Sequence, residues 1–244
     1  MLAFEGTAPS GGAPAWRKGD VFFCSFPKAG RTWVKQFLAQ YISLTFDLGY
    51  REDYDLMALM TIVPSEWFLQ AYPEAAFTYR DDARVPRVRF SHLAFHDRFV
   101  GRPVIFLTRG VEDTLVSCWH HDGCPGPIGE YVRRVLPEYL KWIAGWDVGL
   151  AQVERCLPIT YEGLWENAKK EFSLILSFIG LPFDSAHFQM ALERASFDQM
   201  RKDQEGTDYD RVRRGVVGGY KHELSAEDIA FIERGQGNLR DGSI

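Results

Sequence analysis

The chain has 244 residues, of which 46% are hydrophobic, and it carries a formal net charge of −5 at pH 7. A chain of this length can bury one large core, and its acidic balance excludes a broadly basic face for duplex nucleic acid. The longest uncharged apolar stretch, residues 172–183, is shorter than the ~20 residues that a membrane span needs.

The cysteines indicate a reducing compartment. Cys24, Cys118, Cys124 and Cys156 form no Cys-x-x-Cys pair, and a chain of this size needs no disulfide framework. The first residues also lack the basic and then apolar pattern of a secretory signal. We therefore predict a cytoplasmic protein.

The predicted elements alternate between strands and helices along the chain. Residues 1–19, rich in Gly, Pro, Ala and Ser, are predicted to form a flexible segment ahead of one domain, residues 20–244. Short apolar runs predict strands at Val21–Phe26, Arg87–Ser91, Val104–Arg109 and Leu157–Tyr161. Helical periodicity predicts helices at Thr32–Leu44, Ser65–Tyr72, Val111–His121, Ile128–Val148, Glu162–Gly180, Ser185–Ala195 and Ser225–Gly235. This order is typical of a single-domain α/β fold with a central, mainly parallel sheet flanked by helices.

The loop between the first strand and the first helix is the most informative segment. It reads Phe-Pro-Lys-Ala-Gly-Arg-Thr-Trp from Phe26 to Trp33, with Thr32 as the predicted helix cap. The first N–H groups of a helix have no intrahelical partners, and the helix dipole adds partial positive charge there. The amides of residues 30–33, together with the ammonium group of Lys28, therefore predict a phosphate or sulfate site. The alternative is a solvated loop lysine.

This loop differs from a Walker P-loop, in which the lysine follows the second glycine and a Ser or Thr binds magnesium. Here Lys28 precedes Gly30, and the strand at Val104–Arg109 ends in an arginine instead of a magnesium-binding aspartate. We therefore favour a cationic phosphate site without a metal over a nucleotide kinase that uses magnesium.

Two further segments follow that loop in the chain. Arg109 is followed eight positions later by Ser117, and a later segment, 213–221, reads Arg-Arg-Gly-Val-Val-Gly-Gly-Tyr-Lys. A forked guanidinium with a nearby hydroxyl suits a dianionic phosphate. Taken alone, Arg109 could instead neutralise Glu112 or Asp113, and a basic pair in a polar loop could be solvated.

These three segments resemble one family, the cytosolic-type sulfotransferases, which use 3′-phosphoadenosine-5′-phosphosulfate (PAPS) and release 3′,5′-adenosine bisphosphate (PAP). The loop resembles the family's Tyr-Pro-Lys-Ser-Gly-Thr-Thr-Trp, and the last segment resembles its Arg-Lys-Gly-x-x-Gly-Asp-Trp-Lys. The resemblance implies the P-loop-NTPase-like architecture of these enzymes and a reaction that needs no metal.

The resemblance also implies which residues bind the nucleotide. The 5′-phosphosulfate would lie on Lys28, Ala29, Gly30, Arg31, Thr32 and Trp33. The 3′-phosphate would contact Arg109, Ser117, Arg213, Arg214 and Gly215. The adenine would lie among Trp33, Tyr161, Ser196 and Phe197, although aromatic side chains can equally belong to the core.

His92 is the candidate general base, because Arg-Phe-Ser-His-Leu at residues 89–93 resembles the family's Lys-Thr-His-Leu. An imidazole can accept the proton of an acceptor hydroxyl near neutral pH. Phe90 stands where the family has its lysine. His96 is the second candidate base, and a surface role is the alternative for either histidine. The role implied for Lys28 is to stabilise the leaving phosphate.

The acceptor is expected to be a small molecule, aromatic or lipophilic, that carries a hydroxyl. This expectation rests on apolar side chains near the predicted pocket, which could also be core residues: Trp67, Phe68, Tyr72, Phe77, Tyr79, Phe90, Phe95 and Trp119.

Three alternatives stay open from the sequence. A zinc site at Cys118, His120, His121 and Cys124 fits no standard ligand spacing. A non-catalytic nucleotide-binding scaffold would retain the same binding residues. The oligomeric state is open, because the family's dimer signature, aligned from Lys221, is incomplete.

Overall fold

The computed structural model describes residues 16–49, 56–79, 82–204 and 215–241. Within these residues the chain forms a parallel four-stranded sheet in the order β2-β1-β3-β4. The strands are β1 (Val21–Ser25), β2 (Val88–Ser91), β3 (Pro103–Thr108) and β4 (Arg155–Thr160). The predicted α/β fold, its parallel sheet and its four strands are confirmed, with strand ends shifted by two residues at most.

Helices cover both faces of this sheet. They are α1 (Arg31–Phe46), α2 (Leu56–Ile62), α3 (Glu66–Ala71), α4 (Val111–His121), α5 (Ile128–Gly149), α6 (Tyr161–Glu166), α7 (Ala168–Ile179), α8 (Ser185–Arg194), α9 (Phe197–Gln204) and α10 (Ala226–Arg240). Short 3₁₀ helices lie at Asp97–Phe99, Leu150–Gln152 and Gly219–His222. Among these helices, none is long and apolar enough to cross a membrane.

One helix prediction was wrong, and two helices were not predicted. The single helix expected at 162–180 is divided at Asn167, whose side chain accepts a hydrogen bond from the amide of Lys170 and so caps a new helix, α7. Helices α2 and α9 were not predicted, because both are short and show no clear helical spacing of apolar residues. Helices of this length depend on tertiary packing for their stability.

The sheet separates two apolar layers. Val21 and Phe23 of β1 belong to one layer, which includes buried residues of α1, α7 and α8. Phe22 and Cys24 belong to the other, which includes residues of α4 and α5. Alternate residues of a strand point to opposite faces, so a parallel strand covered on both sides is buried along its length.

The sheet topology brings the candidate site residues to one edge. Because all four strands are parallel, their carboxyl ends meet there, and the chain passes through residues 26–30, 92, 109 and 161 directly beyond them. The strand order reverses between β1 and β3, where the following segments leave on opposite sides. Ligands of such sheets bind at this switch point.

The predicted N-terminal segment lies outside the described residues up to position 15. Of the remainder, Trp16 stacks on Phe22 with ring centroids 4.9 Å apart, and the guanidinium group of Arg102 lies 4.7 Å from the Trp16 ring centroid.

Candidate active site

The loop after β1 has a backbone conformation that is unusual at two positions. Lys28 has φ 65° and Gly30 has φ 104°, both in the left-handed region. Helix α1 begins at Arg31 with Gly30 as its cap residue, so the predicted cap at Thr32 is wrong. The amide of Trp33 donates to the Gly30 carbonyl at 3.1 Å, so the expectation that this amide has no partner within the helix is also wrong. The amides of residues 30–32 remain candidates.

The loop lies directly against Tyr161, the first residue of α6. A Cβ atom added to Gly30 would lie 2.4 Å from Cδ2 of Tyr161, so only glycine allows this approach. The Trp33 ring meets the Tyr161 ring edge-on at 6.0 Å, and Ala29 is buried beneath the loop. Burial raises the pKa of the Tyr161 hydroxyl, so this residue presents an uncharged ring.

Arg109 follows β3 and joins three parts of the edge. Its guanidinium donates to the Lys28 carbonyl at 3.2 Å and to the Val216 carbonyl at 3.3 Å. The same group lies 4.3 Å from the Tyr161 ring centroid. Within the described part of the chain it forms no ion pair with Glu112 or Asp113, so the neutralising role considered for it is not observed.

The ammonium of Lys28 and the guanidinium of Arg109 both act on the thiol of Cys118. Cys118, on α4, is buried, and its Sγ lies 3.8 Å from the Pro27 carbonyl oxygen. Burial raises the pKa of this thiol to about 12, while the positive charges of Lys28 and Arg109 oppose that rise. Ser117, the preceding residue of α4, is half-buried.

Asp113 holds the segment that follows Gly215, a role that the sequence analysis missed. Its buried carboxylate accepts hydrogen bonds from the amides of Gly218 at 2.7 Å and Tyr220 at 3.0 Å. In the sequence, Asp113 is indicated as a possible partner of Arg109. No local pattern indicates a partner 105 residues away.

The segment that begins at Gly215 contacts Phe197, one of the residues predicted to bind the adenine. A Cβ atom added to Gly215 would lie 2.2 Å from the Phe197 ring, so this backbone packs on the ring face. Ser196 is half-buried, and its hydroxyl accepts from the amide of Gln199 at 3.4 Å. Arg213 and Arg214 lie outside the described residues.

His92 follows β2, and its ring is oriented by a backbone carbonyl. Its Nδ1 lies 2.7 Å from the carbonyl oxygen of Ser25, which can only accept, so Nδ1 carries the proton. In the neutral ring Nε2 is then the basic nitrogen. Trp142 donates from its indole to the His92 carbonyl at 3.0 Å, and Trp146 donates to the Leu93 carbonyl at 3.1 Å. These contacts hold the backbone that carries the imidazole.

His96 has the opposite arrangement. Its Nδ1 accepts a hydrogen bond from the amide of Arg98 at 3.3 Å, so the neutral ring carries its proton on Nε2. Burial lowers the pKa of His96, and the nearby Arg98 charge adds to this effect. The accessible nitrogen of this ring is therefore a hydrogen-bond donor.

Four of the eight aromatic residues expected near the acceptor are core residues. Phe68, Phe77, Tyr79 and Phe90 are at most 5% exposed and belong to the apolar layer that contains Phe23. They therefore say nothing about the acceptor. Among the described His, Cys, Asp and Glu side chains, no group of three or more could hold a metal ion.

Comparison with known proteins identifies the family. The family described as "Sulfotransferase domain" matches residues 18–238. Sulfotransferase 1A1 of Bos taurus is 25% identical over 95% of this chain and 79% of its own length. Cytosolic sulfotransferase 14 of Arabidopsis thaliana is 25% identical over 75% of this chain and 61% of its own length.

Solved structures share the fold. Mouse sulfotransferase SULT7A1 complexed with PAP superposes with a TM-score of 0.65 at 17% identity, over 92% of this chain and 84% of its own. Retinol dehydratase in a complex with retinol and PAP superposes with a TM-score of 0.64 at 15% identity, over 92% of this chain and 82% of its own. Since the family match spans nearly the whole chain, the protein belongs to the sulfotransferase domain family and is a PAPS-dependent sulfotransferase.

Proposed function

We propose that the protein transfers the sulfuryl group of PAPS to a hydroxyl of a small acceptor, with His92 as general base and Lys28 stabilising the leaving phosphate. The observation that carries the proposal is the position of Arg109, which donates to carbonyls of both the Lys28 loop and the segment after Gly215. The guanidinium of Arg109 therefore lies beside the backbone of both segments that are proposed to hold the nucleotide.

Two buried donors support a nucleotide at this edge of the sheet. Nε of Arg109 and the indole N–H of Trp33 are buried and have no hydrogen-bond partner among the described residues. Buried donors are ordinarily satisfied, so an unpaired guanidinium N–H beside a loop of helix-start amides is what an anion site requires.

Specific residues would then hold each part of PAPS. Lys28, Ala29 and the amides of Gly30, Arg31 and Thr32 would contact the phosphosulfate. Arg109, Ser117 and Gly215 would contact the 3′-phosphate, together with Arg213 and Arg214. The adenine would lie on apolar and polar groups of Trp33, Tyr161, Ser196 and Phe197.

The chemistry of the transfer divides between two side chains. The basic Nε2 of His92 would accept the proton of the acceptor hydroxyl as its oxygen bonds to sulfur, which is typically worth about 10²–10⁴ in rate. The ammonium of Lys28 would balance the negative charge that develops on the departing phosphate oxygen. Nδ1 of His96 already accepts the hydrogen bond of the Arg98 amide and its other nitrogen carries the proton, so this ring is poorly suited to the first task.

The acceptor is proposed to be a small aromatic or lipophilic molecule. Its support comes from relatives, since two structures of retinol dehydratase contain retinol or androsterone beside PAP. Two plant relatives, cytosolic sulfotransferases 14 and 15 of Arabidopsis thaliana, likewise support the proposed cytoplasmic location.

Thermal unfolding with nucleotides tests the binding site. PAP at about 100 times its dissociation constant should stabilise the fold by about 2.7 kcal/mol. For a chain of this size that is a rise of roughly 5–10 °C in the unfolding midpoint. Magnesium-ATP should raise the midpoint much less. An equal or larger rise with magnesium-ATP would contradict the proposed site.

Transfer from labelled PAPS tests the reaction. A panel of phenols, alcohols, amines and sugars should show labelled product with phenols or lipophilic alcohols. Product only with amines would contradict the proposed acceptor class. Binding of PAP without transfer to any acceptor class would favour a scaffold that binds the nucleotide.

A further inference from the structure

A cysteine, a histidine and a glutamate are aligned at the carboxyl end of α4. Sγ of Cys124 lies 3.5 Å from Nδ1 of His120. On the other side of the ring, Nε2 of His120 is in hydrogen-bond contact with Oε2 of Glu223, which follows the 3₁₀ helix at 219–222. None of the three belongs to the proposed sulfuryl-transfer machinery.

The carboxylate of Glu223 determines which nitrogen of the His120 ring carries the proton. An ionised carboxylate only accepts, so the proton of neutral His120 lies on Nε2, and the lone pair of Nδ1 points towards Cys124. The side chains of His120 and Glu223 are 28% and 13% exposed, so solvent only partly screens their contact. A nucleophile, a base and a group that orients the base are the parts of an activated nucleophile.

The thiol of Cys124 is accessible, unlike those of the other three cysteines. Cys124 is exposed, whereas Cys24 and Cys118 are buried and Cys156 is half-buried. Two hydrogen bonds that involve Trp119 hold the turn that carries Cys124. The Cys124 amide donates to the Trp119 carbonyl at 2.9 Å, and the Trp119 indole donates to the Gly126 carbonyl at 3.1 Å. The Trp119 ring also packs edge-on against His120 at 4.8 Å.

We propose that Cys124, His120 and Glu223 form a thiol modification site that reacts with low-molecular-weight disulfides. As the sulfur of Cys124 bonds to one sulfur of the disulfide, its proton passes to Nδ1 of His120. The disulfide bond breaks, and the second sulfur leaves as a thiolate that takes the proton from His120. Cys124 is oxidised to a mixed disulfide, and one small thiol is released. Glu223 acts as a positioning residue through His120.

Glutathione disulfide is the probe, used on the folded full chain with adducts mapped by mass spectrometry. Cys124 should form the adduct about tenfold faster or more than the thiol of N-acetylcysteine at the same pH, as expected for general-base assistance. Greater accessibility cannot produce this result, since the small thiol is fully accessible. A Cys124 rate no higher than that of N-acetylcysteine would overturn the proposal.

Variants test the role of the imidazole. His120→Ala should lower the rate at Cys124 about tenfold or more, and imidazole added to the solution should restore part of it. Glu223→Gln should lower the rate less, and Glu223→Asp should restore it, whereas Cys156→Ser should leave it unchanged. Unmodified Cys24 and Cys118 report that each variant is folded. A folded His120→Ala protein that reacts at the wild-type rate would also overturn the proposal.

Discussion

Lys28 combines a positive φ with a position proposed to contact the phosphosulfate. A non-glycine residue in the left-handed region loses about 1–2 kcal/mol relative to the right-handed one. With φ 65° at Lys28 and φ 104° at Gly30, the chain turns tightly between β1 and α1. That turn places the Lys28 carbonyl against Arg109 and directs the first amides of α1 to the same edge. Local strain of this kind is concentrated at functional sites.

The orientation of His92 gives the first prediction. His92→Asn should lower turnover by about 10²–10⁴, because the side chain no longer accepts a proton. PAP affinity should stay at the wild-type value, since the proposed nucleotide contacts are made by other residues. Turnover with labelled PAPS and a PAP titration measure the two quantities.

His96→Asn is the matched control, because an asparagine oxygen can still accept the Arg98 amide. It should retain nearly full turnover. Loss of turnover in this variant, with activity retained in His92→Asn, would reverse the assignment of the base.

Gly30 gives the second prediction at the residue scale. Gly30→Ala should abolish measurable PAP binding, because the new Cβ would meet the Tyr161 ring at 2.4 Å and displace the loop. Gly126→Ala is the matched control, with φ 79° and no atom within 4 Å of the added Cβ. Both variants lose about 1–2 kcal/mol from the unfavourable φ. A PAP titration of each variant isolates the contact with Tyr161, and equal affinities would contradict the prediction.

At the scale of elements, the site depends on how segments beyond the strands are tied to one another. Arg109 follows β3 yet contacts the loop after β1 and the segment after Gly215. Asp113, in the first turn of α4, accepts two amides of that same segment. The stretch from the end of β3 into α4 therefore carries both Arg109, the cation proposed for the 3′-phosphate, and the carboxylate that positions the segment beside it.

Asp113→Asn tests this arrangement. The amide NH₂ cannot accept, so one of the two backbone donors loses its partner, at a cost of about 1.5–3 kcal/mol for a hydrogen bond to a charged group. If that energy orders the segment, the dissociation constant of PAP should rise roughly tenfold to a hundredfold. Calorimetric titration with PAP measures the change.

The control for Asp113→Asn is Glu138→Gln, which removes the same charge from an exposed position on α5. It should leave PAP affinity unchanged. Equal affinities of the Asp113→Asn and wild-type proteins would show that the segment is held by other contacts.

At the scale of the whole molecule, the proposed nucleotide site and a buried cluster of charged residues lie at opposite edges of the sheet. Asp20 precedes β1 and is fully buried between Arg87, at 2.6 Å, and Arg89, at 3.2 Å. These residues lie at the amino ends of β1 and β2, away from the edge that carries Lys28 and Arg109. Buried charges must be paired, so this cluster should contribute to folding and not to catalysis.

Asp20→Asn should destabilise the fold by about 3–5 kcal/mol, because two buried guanidinium groups would lose their carboxylate. For this chain length the unfolding midpoint should fall by roughly 6–20 °C. Turnover measured well below that midpoint should stay near the wild-type value.

Asp82→Asn is the comparison for this stability effect. Asp82 pairs with Arg84 at 2.6 Å, but the arginine side chain is 75% exposed. Water screens such a pair, so the midpoint should barely change. A similar fall in both variants would contradict the importance given to the buried cluster.

The sequence by itself determined the strands, the loop that joins β1 to α1 and the α/β class. Each depends on residues close together in the chain: apolar runs long enough for a buried strand, and a lysine and glycine ahead of a helix. Only the tertiary structure decided the rest. The tautomer of His92 depends on the Ser25 carbonyl, 67 residues away, and the segment after Gly215 depends on Asp113, 105 residues away. The physical reason is that such polar contacts form only after the sheet has brought the strand ends together, and short-range residue patterns carry no record of them.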